Sequence, residues 1–155
     1  MKRLHILSFV SAAMLFFASC SNGGNESEPQ DTRIYGEWHL VLWNAAAPSD
    51  FDVYVAFNAD NTFEIYQRIE QVGYQHFSGT YLLQGNRLSG KYSDNIPWGS
   101  TYEITFGTDD KVMTMVSESS VGETSAYERS VIPQAVKENK WTVAKSYSGN
   151  TPRVL

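Results

Sequence analysis

The sequence predicts an all-β domain: eight antiparallel strands running up and down and closed into a barrel, with a short helix or extension after the last strand. Three observations predict it. From Tyr35 onward apolar side chains recur at every second position, the period of a strand rather than of a helix. The alternating runs number eight. The connections between them alternate between short turns and longer loops, which in a meander places every long loop at one end. A chain of 155 residues that is 42% hydrophobic and 14% aromatic can bury one sizeable core and little more, so one folded domain is expected.

The strands follow in order. Trp38, Leu40 and Leu42 share a face of the first, and Phe51, Val53, Val55 and Phe57 share a face of the second. Asn58-Ala59-Asp60-Asn61 has tight-turn composition and leads to a third strand carrying Phe63, Ile65 and Ile69. Phe77, Gly79, Tyr81 and Leu83 alternate up to the turn Gln84-Gly85-Asn86, and Leu88, Gly90 and Tyr92 alternate away from it. Tyr102, Ile104 and Phe106 precede the turn Gly107-Thr108-Asp109-Asp110, Met113 and Met115 follow it, and Ser125, Tyr127 and Arg129 form the eighth strand. Longer loops begin at Asn44, near Gln71, at Ser93 and at Ser117. Barrel closure removes the exposed strand edges and leaves a mouth bordered by these loops. A two-sheet sandwich would show the same alternation with different crossovers.

Gly36-Glu37-Trp38 on the first strand matches a G-x-W pattern, and Arg129 lies on the last strand. On these residues, with the strand count and loop alternation, the chain resembles the lipocalin-like domains of Bacteroidetes lipoproteins over roughly Ile34 to Val131. The resemblance implies that Arg129 stacks over Trp38 and covers the closed end of the barrel, a contact worth about 0.5–2 kcal/mol. Thr108-Asp109 matches part of the family's T-D-Y turn, with Asp110 in place of the aromatic.

After Ser130 the pattern changes. Pro133 can open a helix, Ala135 to Glu138 suit one or two turns, and Trp141 and Val143 are expected to pack this segment on the outside of the sheet. The chain beyond Ser148 is expected to be loose. The organisation is then a leader over residues 1–19, a tether over 20–32, the barrel over 33–132 and a helix with its tail over 133–155.

The leader has a basic start, Lys2-Arg3, an apolar run from Ile6 to Phe17 and small residues before Cys20, the layout of an export signal. Phe17-Ala18-Ser19-Cys20 resembles the lipobox of bacterial lipoproteins, with Phe17 where leucine is usual. Cys20 is the sole cysteine, so no disulfide or thiol chemistry competes for it, and its lipidation is expected. Several acyl chains at about 0.8 kcal/mol per buried CH₂ would hold the protein to a membrane of the cell envelope, most simply the outer membrane. A monomer is expected.

Composition and spacing argue against several functions. The formal charge is −5, and the leader holds two of the bases and no acid, so no basic surface for nucleic acid is expected. Beyond the leader only His39 and His76 remain, on separate strands and out of phase with the core residues, so they are expected to face solvent; no metal site or cofactor is implied. Phosphate-binding glycine loops and nucleophile elbows are absent, and an enzyme is not expected.

Function then falls to apolar side chains near the mouth. Trp43 ends the first strand and Trp98 lies in the longest mouth loop; each offers a broad surface and one donor, although Trp98 could equally plug the barrel. Met113, Met115, Tyr81 and Tyr102 are candidate lining residues, and Gly79 or Gly90 could leave room among an aromatic-rich inward set. The expected function is a membrane-anchored binding module for a small hydrophobic or amphipathic ligand. The alternative is a non-enzymatic envelope lipoprotein that presents loops to a glycan, peptide or protein. Lipidation has a direct test: Cys20→Ser should release the protein from membranes under a high-salt wash, and retention of the variant would refute the anchor.

Overall fold

The computed structural model describes residues 30–155 apart from residues 71, 120, 139 and 143–151. The leader, Cys20 and most of the tether therefore lie outside the described residues, as does Val143. A 3-10 turn, Thr32–Ile34, leads into β1 (Gly36–Trp43), followed by β2 (Phe51–Phe57), β3 (Thr62–Ile69), β4 (Tyr74–Gln84) and β5 (Arg87–Tyr92). Then come β6 (Tyr102–Phe106), β7 (Val112–Ser117), β8 (Thr124–Arg129), α1 (Gln134–Glu138) and β9 (Lys140–Thr142).

Strands β1 to β8 pair antiparallel with their chain neighbours, β1 pairs with β8, and the β3–β4 pairing completes the closed barrel. Tight turns lie at one end and the long loops at the other, as the connection lengths predict. Inward residues alternate along every strand: Val53, Val55 and Phe57 on β2, Ile104 on β6, Met113 and Met115 on β7 and Tyr127 on β8 all belong to one buried core.

The closed end is built on Trp38. Its ring is fully buried, its Nε1 donates to Ile34 O at 2.8 Å, and the Arg129 guanidinium lies 4.2 Å above it. Arg129 also donates to three carbonyl oxygens, those of Asp110, Tyr35 and Arg33, tying the β6–β7 turn and the 3-10 turn to β8. Gly36 makes this possible in two ways. Its φ is +120°, and a Cβ there would stand 2.9 Å from Arg129 Nη1.

The alternation expected for β1 fails at one place. Leu40 pairs with Tyr127 but Leu42 pairs with Ala126, so two residues of β1 face one step of β8. This bulge reverses the phase: Leu42 turns outward and is 41% exposed, and Trp43, opposite buried Ser125, turns toward the mouth.

The C-terminal part runs over the outer wall. Ile132 and Val136 pack against Tyr54, Ala56 and Tyr66, which explains why β2 and β3 are buried on both faces. Glu37 fastens the helix, accepting from Ile132 N and from Lys137 Nζ, each at 2.7 Å. Burial pushes the Glu37 carboxyl up, but these two donors outweigh it and hold the group below its ordinary value. The backbone of Lys140–Thr142 then pairs parallel with Tyr74 to His76 of β4, adding a ninth strand that the sequence reading did not anticipate.

The expectation of a loose tail is corrected at its end: residues 152–155 enter the barrel, with Leu155 only 5% exposed and part of the core. Hydrogen bonds from interior side chains to their backbone, described below, supply the reason.

Because both space and backbone angle require glycine at position 36, Gly36→Ala should lower stability by about 1–3 kcal/mol. Denaturant unfolding measures this, and an unchanged midpoint would contradict the packing of the closed end.

Candidate functional site

At the open end a cavity of about 360 Å³ lies between strand ends. Trp43 from the end of β1, Phe51 from the start of β2 and Ile69 from the end of β3 form one wall, and Pro152, Arg153 and Val154 form another, with Glu123 at the rim. Trp43 meets Phe51 edge to face at 5.9 Å. The β1 bulge puts the indole there; uninterrupted alternation would have turned it outward.

Below the cavity the described side chains pack into one buried core. Trp98 is 6% exposed, lies 5.1 Å from Phe63 and 6.2 Å from Tyr102, and fills the space over Gly90, where a Cβ would come within 2.5 Å of the indole. Its loop is held there by two backbone bonds to β5, Tyr92 N to Ile96 O and Trp98 N to Gly90 O. Trp98 thus plugs the barrel, and the glycines leave no room: the Trp98 ring fills the space at Gly90, and at Gly79 the Lys91 carbonyl, with the Phe63 ring beside it, does the same.

The remaining candidates follow the same division. Met113 and Met115 are fully buried in the core. Tyr81 sits at the closed end, its hydroxyl donating to Asn58 O of the β2–β3 turn. Tyr102 packs beneath Trp98, and burial, with Glu123 adding to it, pushes its hydroxyl up to about 12. Of the six residues expected to bind ligand, only Trp43 lines the mouth cavity.

The sequence reading missed two interior polar residues. Gln67 of β3 and Gln75 of β4 are cross-strand partners facing into the barrel, with Gln67 wholly buried. They mark the level where aromatic filling stops. Their inward phase, two positions beyond Ile65 and two before Phe77, was a readable signal: a buried amide needs hydrogen-bond partners.

Here residues 152–155 are held. Gln67 Nε2 donates to Pro152 O at 2.5 Å and Gln67 Oε1 accepts from Val154 N at 3.2 Å. Tyr92 Oη donates to Leu155 O at 2.6 Å, and burial pushes that hydroxyl well above its ordinary value, so it remains a donor. Arg153 pairs with Asp94 at 2.5 Å and lies 4.4 Å over the Tyr92 ring.

The histidines depart from the solvent-facing expectation. His39 does point outward, but its Nε2 is 2.6 Å from Asp52 Oδ1, and Tyr74 donates to the other oxygen of Asp52, a network that ties β1, β2 and β4. His76 is 9% exposed, its ring 4.8 Å from Tyr66 and its Nε2 3.5 Å from Glu64. Outward phase does not mean solvent where Ile132 and Val136 cover the wall around Tyr66. Among the described residues no group of three or more His, Cys, Asp or Glu is placed to hold a metal ion.

A second depression, about 500 Å³ and open, lies on the outer wall around Gly79, bordered by Thr62, Glu64, Ser78, Thr80 and Lys91. It is the larger of the two and about equally open, but its lining is more polar, with Glu64, Ser78, Thr80 and Lys91 where the mouth cavity has Trp43, Phe51, Ile69 and Val154.

A closed eight-stranded up-and-down barrel, filled below and open above, defines a class of small binding proteins. The chain belongs to the lipocalin-like domain family, whose model matches residues 34–115. That family is generally a binding scaffold rather than a catalytic one, and small-ligand binding is the function it indicates. The crystal structure of an uncharacterized protein from Bacteroides eggerthii DSM 20697 is similar, with a TM-score of 0.45 and 16% identity over 62% of this chain and 98% of that one. Comparison with curated proteins gave no match.

The Arg153–Asp94 pair makes docking of residues 152–155 acid-sensitive. The guanidinium hydrogen bond holds the Asp94 carboxyl below its ordinary value near about 3.9, so its stabilisation is complete above that value and is lost as pH falls through the depressed one. Amide exchange at Val154 should therefore be constant from neutral pH to about pH 4 once corrected for intrinsic rate, and accelerate below it. Asp94→Asn should abolish the acid step; a step that persists would assign it elsewhere.

Proposed function

We propose that the protein is a membrane-anchored binding module that holds a small apolar or amphipathic molecule in the cavity at the barrel mouth. One observation carries this reading: among the described residues the rings pack into one buried core, and at the open end about 360 Å³ remains between Trp43, Phe51, Ile69 and Val154. That volume falls within the range of about 300–1,000 Å³ usual for small-molecule sites. Apolar walls favour a hydrocarbon or ring body, and the Glu123 and Arg153 side chains at the edge favour a polar end that stays near water.

The anchor is lipid on Cys20, and the location is the cell envelope, with the outer membrane the simplest site. The barrel acts as a monomer. A second reading, in which the loops engage a glycan, peptide or protein partner, is favoured by Val72, Ile96 and Val121, exposed apolar side chains on three of the mouth loops.

Uptake of an environment-sensitive apolar fluorophore by the detergent-solubilised full chain tests the leading reading. Trp43→Ala should weaken uptake about tenfold, on the order of 1.4 kcal/mol. Trp98→Ala should instead cost about 3–5 kcal/mol of stability through loss of the plug. Uptake indifferent to Trp43→Ala, or none at all, would refute the mouth site.

A further inference from the structure

Gln67 presents an amide donor and an amide acceptor side by side inside a largely apolar barrel, with Gln75 across from it. Those two atoms meet Pro152 O and Val154 N, the alternate backbone groups that an extended strand offers along one edge. This is recognition of peptide backbone, and it is independent of side-chain identity. Tyr92 Oη holds a further backbone oxygen, that of Leu155.

Side chains are read as well. Arg153 reaches Asp94 with two nitrogens, at 2.5 and 3.3 Å, and lies between the rings of Tyr92 at 4.4 Å and Phe77 at 5.2 Å. Both members of the ion pair are nearly covered, with side-chain exposures of 17% and 16%. Leu155 enters the core two positions later. A cation held between rings and an acid, a backbone matched at alternate residues and a buried branched aliphatic side chain together describe a peptide site with a sequence preference.

We propose that the barrel mouth is a site for an extended peptide segment carrying Arg two residues before a branched apolar residue, and that residues 152–155 are its resident occupant. The inference rests on the reading of the mouth as a binding site and adds to it a second kind of ligand, which takes the place of residues 152–155 instead of binding against them. An incoming peptide competes with residues 152–155 for Gln67, Tyr92 and Asp94, so affinity in the intact chain is reduced by the occupancy of the resident segment.

The test uses the full chain and a fluorophore-labelled peptide of sequence Thr-Pro-Arg-Val-Leu. Arg153→Glu sets two acids against each other and displaces the resident segment, so this variant should bind the peptide at least tenfold more tightly than the parent chain. The double exchange Asp94→Arg with Arg153→Glu restores an ion pair and should return binding to the parent level. A peptide with Glu in place of its Arg should bind the single variant at least tenfold more weakly.

Equal binding of the Arg peptide by parent and folded Arg153→Glu chains, or equal binding of the Arg and Glu peptides, would overturn the proposal. Should Arg153→Glu fail to fold, the chain shortened by residues 152–155 takes its place under the same criteria. The apolar fluorophore separates the two readings. If it still enters past Trp43 while the peptide does not bind, the mouth site stands and the peptide class falls; if neither binds, both fall.

Discussion

The interior of an eight-stranded barrel is about as wide as the side chains that line it, and most features of this protein follow from that limit. Phe57, Phe63, Phe77, Tyr81, Tyr92 and Tyr127 all point inward, and so many rings fit only because glycines lie beside them. The Lys91 carbonyl and the Phe63 ring take the volume a side chain at Gly79 would need, and Trp98 takes that at Gly90. Filling therefore proceeds from the closed end and stops at the Gln67–Gln75 pair, above which a cavity and a peptide segment share the mouth.

The two ends of the barrel rely on different chemistry. The closed end is a stack of Arg129 on Trp38, with every donor direction of the guanidinium that the structure records spent on carbonyls of neighbouring turns. It is rigid because each partner is backbone. The open end is held by side-chain amides, one phenol and an ion pair, groups that can exchange one hydrogen-bond partner for another at small net cost. Residues 31–34 enter at the closed end, opposite the mouth, where Arg33 and Ile34 join the cap around Trp38.

The strands, the tight turns and the loop asymmetry were legible because each rests on period-two burial or local turn chemistry, and the pairing of Trp38 with Arg129 followed from the family resemblance. What could not be read depends on distant contacts. The β1 bulge is invisible in the alternation, since Leu42 and Trp43 are both apolar and either could face inward. Gln67 is in phase with Ile65, so its inward direction was readable, but the backbone groups that it holds were not. Pro152-Arg153-Val154-Leu155 is too short for any periodicity to show, and its place is set by residues more than fifty positions earlier in the chain. Trp98 had two consistent roles on sequence, and only its contact with Gly90 decides between them.

The central claim is that a small apolar ligand binds at the mouth and not within the filled barrel. Methyl chemical shifts during titration with such a ligand test it most directly. Ile69 and Val154 border the cavity and should shift, while Ile104, Met113 and Leu88 in the packed interior should not. Shifts centred on Met113 and Ile104, or spread evenly through the core, would mean that the barrel opens to admit ligand and would contradict the account.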